Sequence, residues 1–356
     1  MNTSDILQMR LHNQLLATHN LKEPHEVVAW MGAMQSQSLE LAKWAIGSRL
    51  QGSIVQDVEK ALNTGTIIRT HILRPTWHFV SSEDIYWMFD LSNPRLKPIY
   101  QSYARMQGVD EASIYKAMPG LVKVLEGNKH LTKQEITEGL VLHDIVIDDI
   151  DVLNRVIQYA EMEGLIVNGC IKGKQQTFTL LEEFVPRKEA ISKEEALERL
   201  ARKFFTSHAP ATIQDFAWWS GLSMTECKQS LESIKHDFVC EKINGRDFWM
   251  KNDIKIPPGN KVSALLLSPF DEFVVSYKER SEMIEEVHYS KVMTKNGLFS
   301  PTVMLNGEIV GSWKKMSVKG SPKVELSFFK EKTEKIQALF SSEVKKVQRF
   351  FYQKQD

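Results

Sequence analysis

No apolar run in this chain approaches the ~20 residues needed to cross a bilayer. The N-terminal MNTSDILQMRLHNQLL lacks the basic-then-apolar pattern of a secretion signal. Cysteine is scarce: Cys170, Cys227 and Cys240 are scattered without metal-ligand spacing. Three thiols cannot all pair, which points to a reducing, cytoplasmic setting and to buried, unreactive side chains. There is no phosphate loop, no GxGxxG, no GxSxG, no HExxH and no CxxC, so no metal and no cofactor is expected. Net charge is also missing, since 45 basic residues balance 45 acidic ones. A protein that coats nucleic acid by bulk phosphate contact is usually basic. This balance argues against that role while leaving room for a local basic face.

What is present is an ordinary globular composition, 42% hydrophobic and 25% charged over 356 residues. At roughly 100–200 residues per domain, two or three domains or several small packed units are expected. The clearest unit lies near 190–252. Lys193 to Phe205 has amphipathic spacing. Thr212 can cap a short helix from Ile213 to Trp219, and Gly221 suits a tight turn. Ser223-Met224-Thr225-Glu226 is a capping box for a second helix to about Ile234. Asn244-Gly245 then joins two β-prone runs, 237–242 and 247–251. Two helices across a tight turn followed by a hairpin make a winged helix.

The same order recurs over 111–185. A helix capped by Thr132 is followed by one over 149–163, a stop at Gly164 and a candidate hairpin from 165 to 181. The first segment is longer. Helices are expected near 4–17, 24–35, 39–50 and 55–63, strands over 66–71 and 76–80, and a helix over 83–106. From about 259 the pattern becomes short β-type runs at 264–267, 273–277, 302–305, 308–313 and 323–329, with a last helix over 331–352. The expected class is α+β: three tandem winged-helix units followed by a small antiparallel C-terminal β-barrel or sheet. The expected boundaries are 1–110, 111–188, 189–258 and 259–356.

Two stretches could carry chemistry. In Gln35-Ser36-Gln37 two amides sit two apart at a helix junction. Within a helix they would point about 200° apart, so they converge only if the chain leaves helical geometry there. The competing reading is a polar helix connection. The second stretch runs from Arg69 to Val80. It sets Arg69, His71, Arg74, Thr76, Trp77 and His78 in a candidate hairpin that could contact phosphates and bases. A core strand with satisfied histidines is the competing reading. Trp218-Trp219 reads as core, and Asp271-Glu272 as a turn or solvated pair.

Taken in order, several short motifs resemble the winged-helix family of azinomycin-resistance-type (AlkZ-like) DNA glycosylases. They are Gln35-Ser36-Gln37 with Lys43-Trp44-Ala45-Ile46-Gly47 and Arg49, then Leu73 to Val80, and Ala211 to Leu222. Leu267-Ser268-Pro269-Phe270-Asp271-Glu272 and Asn306 to Trp313 complete the set. The resemblance implies a concave DNA-binding face and hydrolysis of the N-glycosidic bond of alkylated purines. It implies a Gln-x-Gln catalytic signature, matched here by Gln35 and Gln37. The middle residue is usually aliphatic in that family and is Ser36 here.

The chemistry is coherent. An N7-alkylated purine is already cationic and leaves as a neutral base, so no leaving-group acid is needed. Amide oxygens can accept hydrogen bonds from a water and face the positive charge of an oxocarbenium ion. The leading expectation is therefore a monomeric, monofunctional glycosylase acting on alkylated DNA, with acceptance of crosslinked purines left open. Gln35 and Gln37 would be catalytic, and Arg69, Arg74, Thr76 and His78 would contact DNA. A non-catalytic DNA-binding protein or transcriptional regulator is the alternative, and winged helices serving protein contacts only are a third.

Overall fold

The computed structural model describes residues 1–17, 19–252, 263–318 and 321–352. The chain forms two compact units. One is discontinuous, made from residues 1–58 and from residue 197 onward; the other is residues 59–196. The architecture is α+β, rich in helix, with small antiparallel sheets.

In the discontinuous unit, helix starts follow local hydrogen-bond chemistry. Asn2 and Asp5 cap Thr3–Asn13 reciprocally. Thr212 with Asp215 opens Ile213–Ser220, and Ser223 with Glu226 opens Met224–Ile234. Each pair satisfies backbone N–H groups that a helix start leaves without partners. Between the last two helices Gly221 adopts φ +70°, a left-handed conformation that costs glycine little. The hairpin Phe238–Ile243 with Arg246–Lys251 follows. Helix, turn, helix and hairpin thus stand in the expected order over 213–251. Adjacent helix positions point about 100° apart, which splits the tryptophan pair expected in the core. Trp219 is fully buried, whereas Trp218 is 44% exposed and donates its Nε1–H to the Val275 carbonyl.

Four strands close this unit in the order Ser321–Phe328, Glu308–Val318, Thr302–Leu305, Ala264–Leu267. Among the described residues they form an open antiparallel sheet, not a closed barrel. The strand expected at 273–277 is instead the short helix Glu272–Val275, because the Asp271 carboxylate accepts from the Phe273 N–H and caps it. The last helix is broken into Glu334–Leu339 and Ser341–Tyr352 around the buried Phe340. Phe350 packs edge-on against Trp44. The expected boundary at 258/259 lies outside the described residues.

In the unit 59–196, Ile67–His71 and Trp77–Ser81 pair antiparallel, with His71 opposite Trp77 and Arg69 opposite Phe79. Helices Ile85–Met106, Glu111–Leu125, Lys133–Val141 and Ile150–Met162 follow, then the short hairpin Ile166–Asn168 with Phe178–Leu180. Thr132 and Asp149 cap the third and fourth of these helices. Tyr100, Ile114, Leu121, Val156 and Phe178 are among the side chains that share one core. Burying a residue of this kind contributes about 1.5–3 kcal/mol. Helix Glu111–Leu125, capped by Asp110, was not among the expected elements. The cysteines divide: Cys227 is buried, Cys170 half-buried and Cys240 exposed, so only one of the three expected buried thiols sits in a core.

Candidate functional site

The helix expected over 24–35 ends early, and its ending shapes the Gln-x-Gln segment. Pro24–Met31 is helical, Gly32 follows at φ +81°, and Ala33–Gln35 is extended. Gly32 is needed for its backbone, not for want of space. Its backbone conformation is rare for L side chains, and a Cβ would sit 3.4 Å from Lys203 Cβ and from Trp219 Cη2. The chain stays non-helical until Leu39–Gly47 begins. Gln37 lies just beyond the extended stretch, in the bend that precedes that helix. Gln35 is 6% exposed, Ser36 is buried and Gln37 is exposed. One amide is therefore embedded, and the other lies open to solvent.

The anchor of Gln35 belongs to a pair read from sequence as a turn or solvated pair. Glu272 is only 1% exposed. Its Oε1 accepts the Gln35 backbone N–H at 2.6 Å. Its Oε2 accepts the Trp219 Nε1–H at 3.1 Å and the Ser276 hydroxyl. His208 Nε2 lies 3.7 Å from the same oxygen. Burial holds the His208 imidazole below its ordinary range, and the nearby Glu272 carboxylate opposes that shift.

Asp271 is equally buried. The Arg49 guanidinium grips it with two bonds, Nη2 to Oδ1 at 2.9 Å and Nη1 to Oδ2 at 3.0 Å. Arg49 also donates to the Gln14 and Ala45 carbonyls. The solvated reading of Asp271-Glu272 is thus corrected: both carboxylates are interior anchors satisfied from several elements. Buried carboxylates require such partners. The signal was in the sequence. Leu267 to Glu272 is one of the segments that carry the family resemblance, yet spacing alone gave the acidic pair no partner.

The remaining candidates lie in the unit 59–196. Arg69 is 4% exposed. Its Nη1 donates to Asn168 Oδ1 at 2.8 Å and to Gln176 Oε1 at 2.5 Å, and its guanidinium lies 4.1 Å from the Trp77 ring centre. Burial lowers its pKa to about 10, with Glu161 opposing the shift. A direct phosphate contact by Arg69 would require it to leave these partners. His78 is buried, with Nδ1 donating to the Thr76 carbonyl at 2.9 Å. Arg74 and Thr76 are half-buried in the turn before Trp77. That turn holds Leu73 at φ +60°, strained for a side chain of its kind, with its N–H donating to Ser92 Oγ.

A buried polar cluster missed from sequence sits beneath this hairpin. Glu161, fully buried, faces His71 Nδ1 at 2.9 Å and accepts from Asn168 Nδ2 at 3.1 Å. Burial raises its pKa, opposed by His71, Arg69 and Lys133. Among the described residues, no group of three or more His, Cys, Asp or Glu side chains could hold a metal ion. No helix among them is long and apolar enough to cross a membrane.

Comparison with known proteins supplies the family. The model of the family described as DNA glycosylase AlkZ-like matches residues 28–350. The fold is similar to that of Streptomyces sahachiroi DNA glycosylase AlkZ, with a TM-score of 0.77 at 19% sequence identity. That match covers 98% of this chain and 96% of the other. No curated protein matches.

Proposed function

Since the chain belongs to the AlkZ-like family of DNA glycosylases, we propose that it is a monofunctional glycosylase hydrolysing the N-glycosidic bond of cationic N-alkylpurines in DNA. The observation that carries this reading is the non-helical Gln-x-Gln segment, anchored at the Gln35 backbone. Gln35 is buried and tied through its backbone to Glu272, while Gln37 stands exposed two residues on. Amide dipoles held in place by the fold act without reorganising during the reaction.

In this mechanism a water positioned by the amide oxygens attacks C1′. The C1′–N9 bond breaks, its electron pair neutralises the cationic purine, and the water's proton passes to solvent. The products are a neutral base and an abasic site. Amides do not act as general acids near neutral pH, so undamaged bases, which would leave as anions without a proton donor, are spared. Helix, helix and hairpin recur in that order within 133–180 and 213–251, which supports the reading of tandem winged helices on duplex DNA. Arg74 and Thr76, in the turn of the hairpin, contact the strand. Arg69 and His78, both buried, hold that hairpin in shape. Purines crosslinked through N7 carry the same positive charge and fall within the same chemistry. The protein acts as a monomer.

The test is release of N7-methylguanine from randomly methylated duplex DNA. Gln35→Ala and Gln37→Ala are each expected to lose about 100-fold or more, the range for removing a positioned dipole. Unchanged release by the Gln35→Ala protein would overturn the assigned site.

A further inference from the structure

A cavity of about 600 Å³ opens in the unit 59–196, away from the Gln-x-Gln segment in sequence and carrying neither glutamine. Its size lies in the range of small-ligand sites. Trp77, Ile157 and Phe178 give it flat apolar wall. His71 and Trp77 are register partners, their ring centres 4.0 Å apart and the rings tilted by 40°. Arg69, two residues before His71 on the same strand face, also lies against the indole. Trp77 is therefore braced by its own sheet, while part of its surface lines the cavity.

Three of the amides around the cavity follow one pattern, while Gln134 donates its own N–H to Glu138. Asn154 Oδ1 accepts from Lys133 Nζ, Gln158 Oε1 accepts from Arg155, and Gln176 Oε1 accepts from Arg69. Each amide oxygen is turned to a cation of the protein. What each amide then has to offer a ligand is its pair of N–H donors. Lys133 and Arg155 add further donors and positive charge. The one carboxylate in the lining, Glu161, is fully buried and engaged by His71 and Asn168. The cavity thus presents donors, positive charge and flat apolar surface. A ligand that fits has acceptors, negative charge and a flat ring.

We propose that this cavity binds one unpaired nucleotide of a DNA strand, its base against Trp77 and the amide donors and its phosphate on Lys133 and Arg155. The choice of a DNA strand over a free nucleotide rests on the reading of the protein as a DNA glycosylase. Base stacking on an aromatic side chain is sequence-tolerant, so the site accepts a base of any identity.

The probe is an undamaged single-stranded oligonucleotide carrying one 5-iodouracil, crosslinked by near-ultraviolet light and mapped by mass spectrometry. The expected product joins the iodouracil position to the peptide containing Trp77 or Phe178. In fluorescence anisotropy, Lys133→Ala and Gln158→Leu should each weaken binding of the same strand about 5- to 20-fold. Folding of both variants is checked by their thermal transitions. Crosslinks confined to other segments, or unchanged affinity in both folded variants, would overturn the proposal. Saturable binding of a deoxynucleoside 5′-monophosphate without binding of the strand would overturn the assignment to DNA. The two readings fail separately. A protein that crosslinks at Trp77 but releases no methylated base sinks the glycosylase reading alone. One that releases bases but never crosslinks there sinks this proposal alone.

Discussion

The backbone N–H of Gln35 donates to Glu272 Oε1 at 2.6 Å, across 237 residues of sequence. The proposed catalytic segment is thereby tied to a carboxylate that also receives the Trp219 indole and the Ser276 hydroxyl. The position of the glutamine depends on the interior of the unit, not only on its own loop.

Replacing Glu272 separates charge from shape. Glu272→Ala leaves the Gln35 N–H, the indole N–H and the Ser276 hydroxyl without their acceptor. Removing one side of a buried polar network of this kind costs about 3–5 kcal/mol. Glu272→Gln retains an acceptor oxygen and should cost less than half of that. Denaturant titration of the two variants compares them. Equal stability of Glu272→Ala and wild type would show that the carboxylate is not an anchor.

Arg49→Lys tests the second buried carboxylate. Lysine has no fork to bind both Asp271 oxygens while also reaching the Gln14 and Ala45 carbonyls. At about 1–3 kcal/mol for each buried group left unsatisfied, a loss of about 2–4 kcal/mol is expected. The denaturation midpoint should fall with an unchanged slope. A loss under about 1 kcal/mol would mean that one ammonium replaces the guanidinium.

Gly32→Ala should reduce both stability and base release. A side chain at φ +81° costs about 1–3 kcal/mol, although its Cβ would meet Lys203 and Trp219 only at ordinary contact distance. Relief of that strain moves the extended segment that begins one residue later. The expected result is a lower thermal midpoint together with a fall in the rate of N7-methylguanine release at saturating DNA. Destabilisation with an unaltered rate would separate Gly32 from the site.

Acidification should weaken the discontinuous unit through His208. Its folded-state pKa is lowered, chiefly by burial. As pH falls through the unfolded value near 6.5, the unfolded chain takes up a proton that the folded chain does not. The stability contribution is thus present above that value and lost as pH falls toward the folded value. The thermal midpoint of wild type should drop more between about pH 7.5 and 5.5 than that of His208→Gln. Parallel slopes for the two proteins would contradict the assignment.

The features legible in the sequence were those whose causes are local. Thr212 with Asp215, Ser223 with Glu226 and Thr132 with Glu135 announce helix starts within four residues. Asn244-Gly245 likewise announces the hairpin it turns, with both residues at positive φ. The early stop at Gly32 was hidden, because Trp30, Met31, Ala33 and Met34 continue an apolar pattern that suits a helix. The Gln-x-Gln segment could be found, but its geometry could not. The roles of Glu272 and Glu161 were hidden for the same reason. Glu272 is set by Trp219 and Gln35, and Glu161 by His71, all distant in sequence. Local spacing near either acid does not distinguish it from a surface carboxylate; for Glu272 the only signal is the resembling segment Leu267 to Glu272.

The distance between Gln35 and Glu272 also orders events during synthesis. A ribosome adding roughly 5–20 residues per second takes tens of seconds to pass from one to the other. Throughout that interval the nascent chain carries the glutamine without the carboxylate that seats it. Any chain released before residue 272, by a premature stop or a cleavage, carries the Gln-x-Gln sequence without this support for its geometry. Under the proposed function, synthesis past Glu272 is then a condition for seating Gln35 in this way.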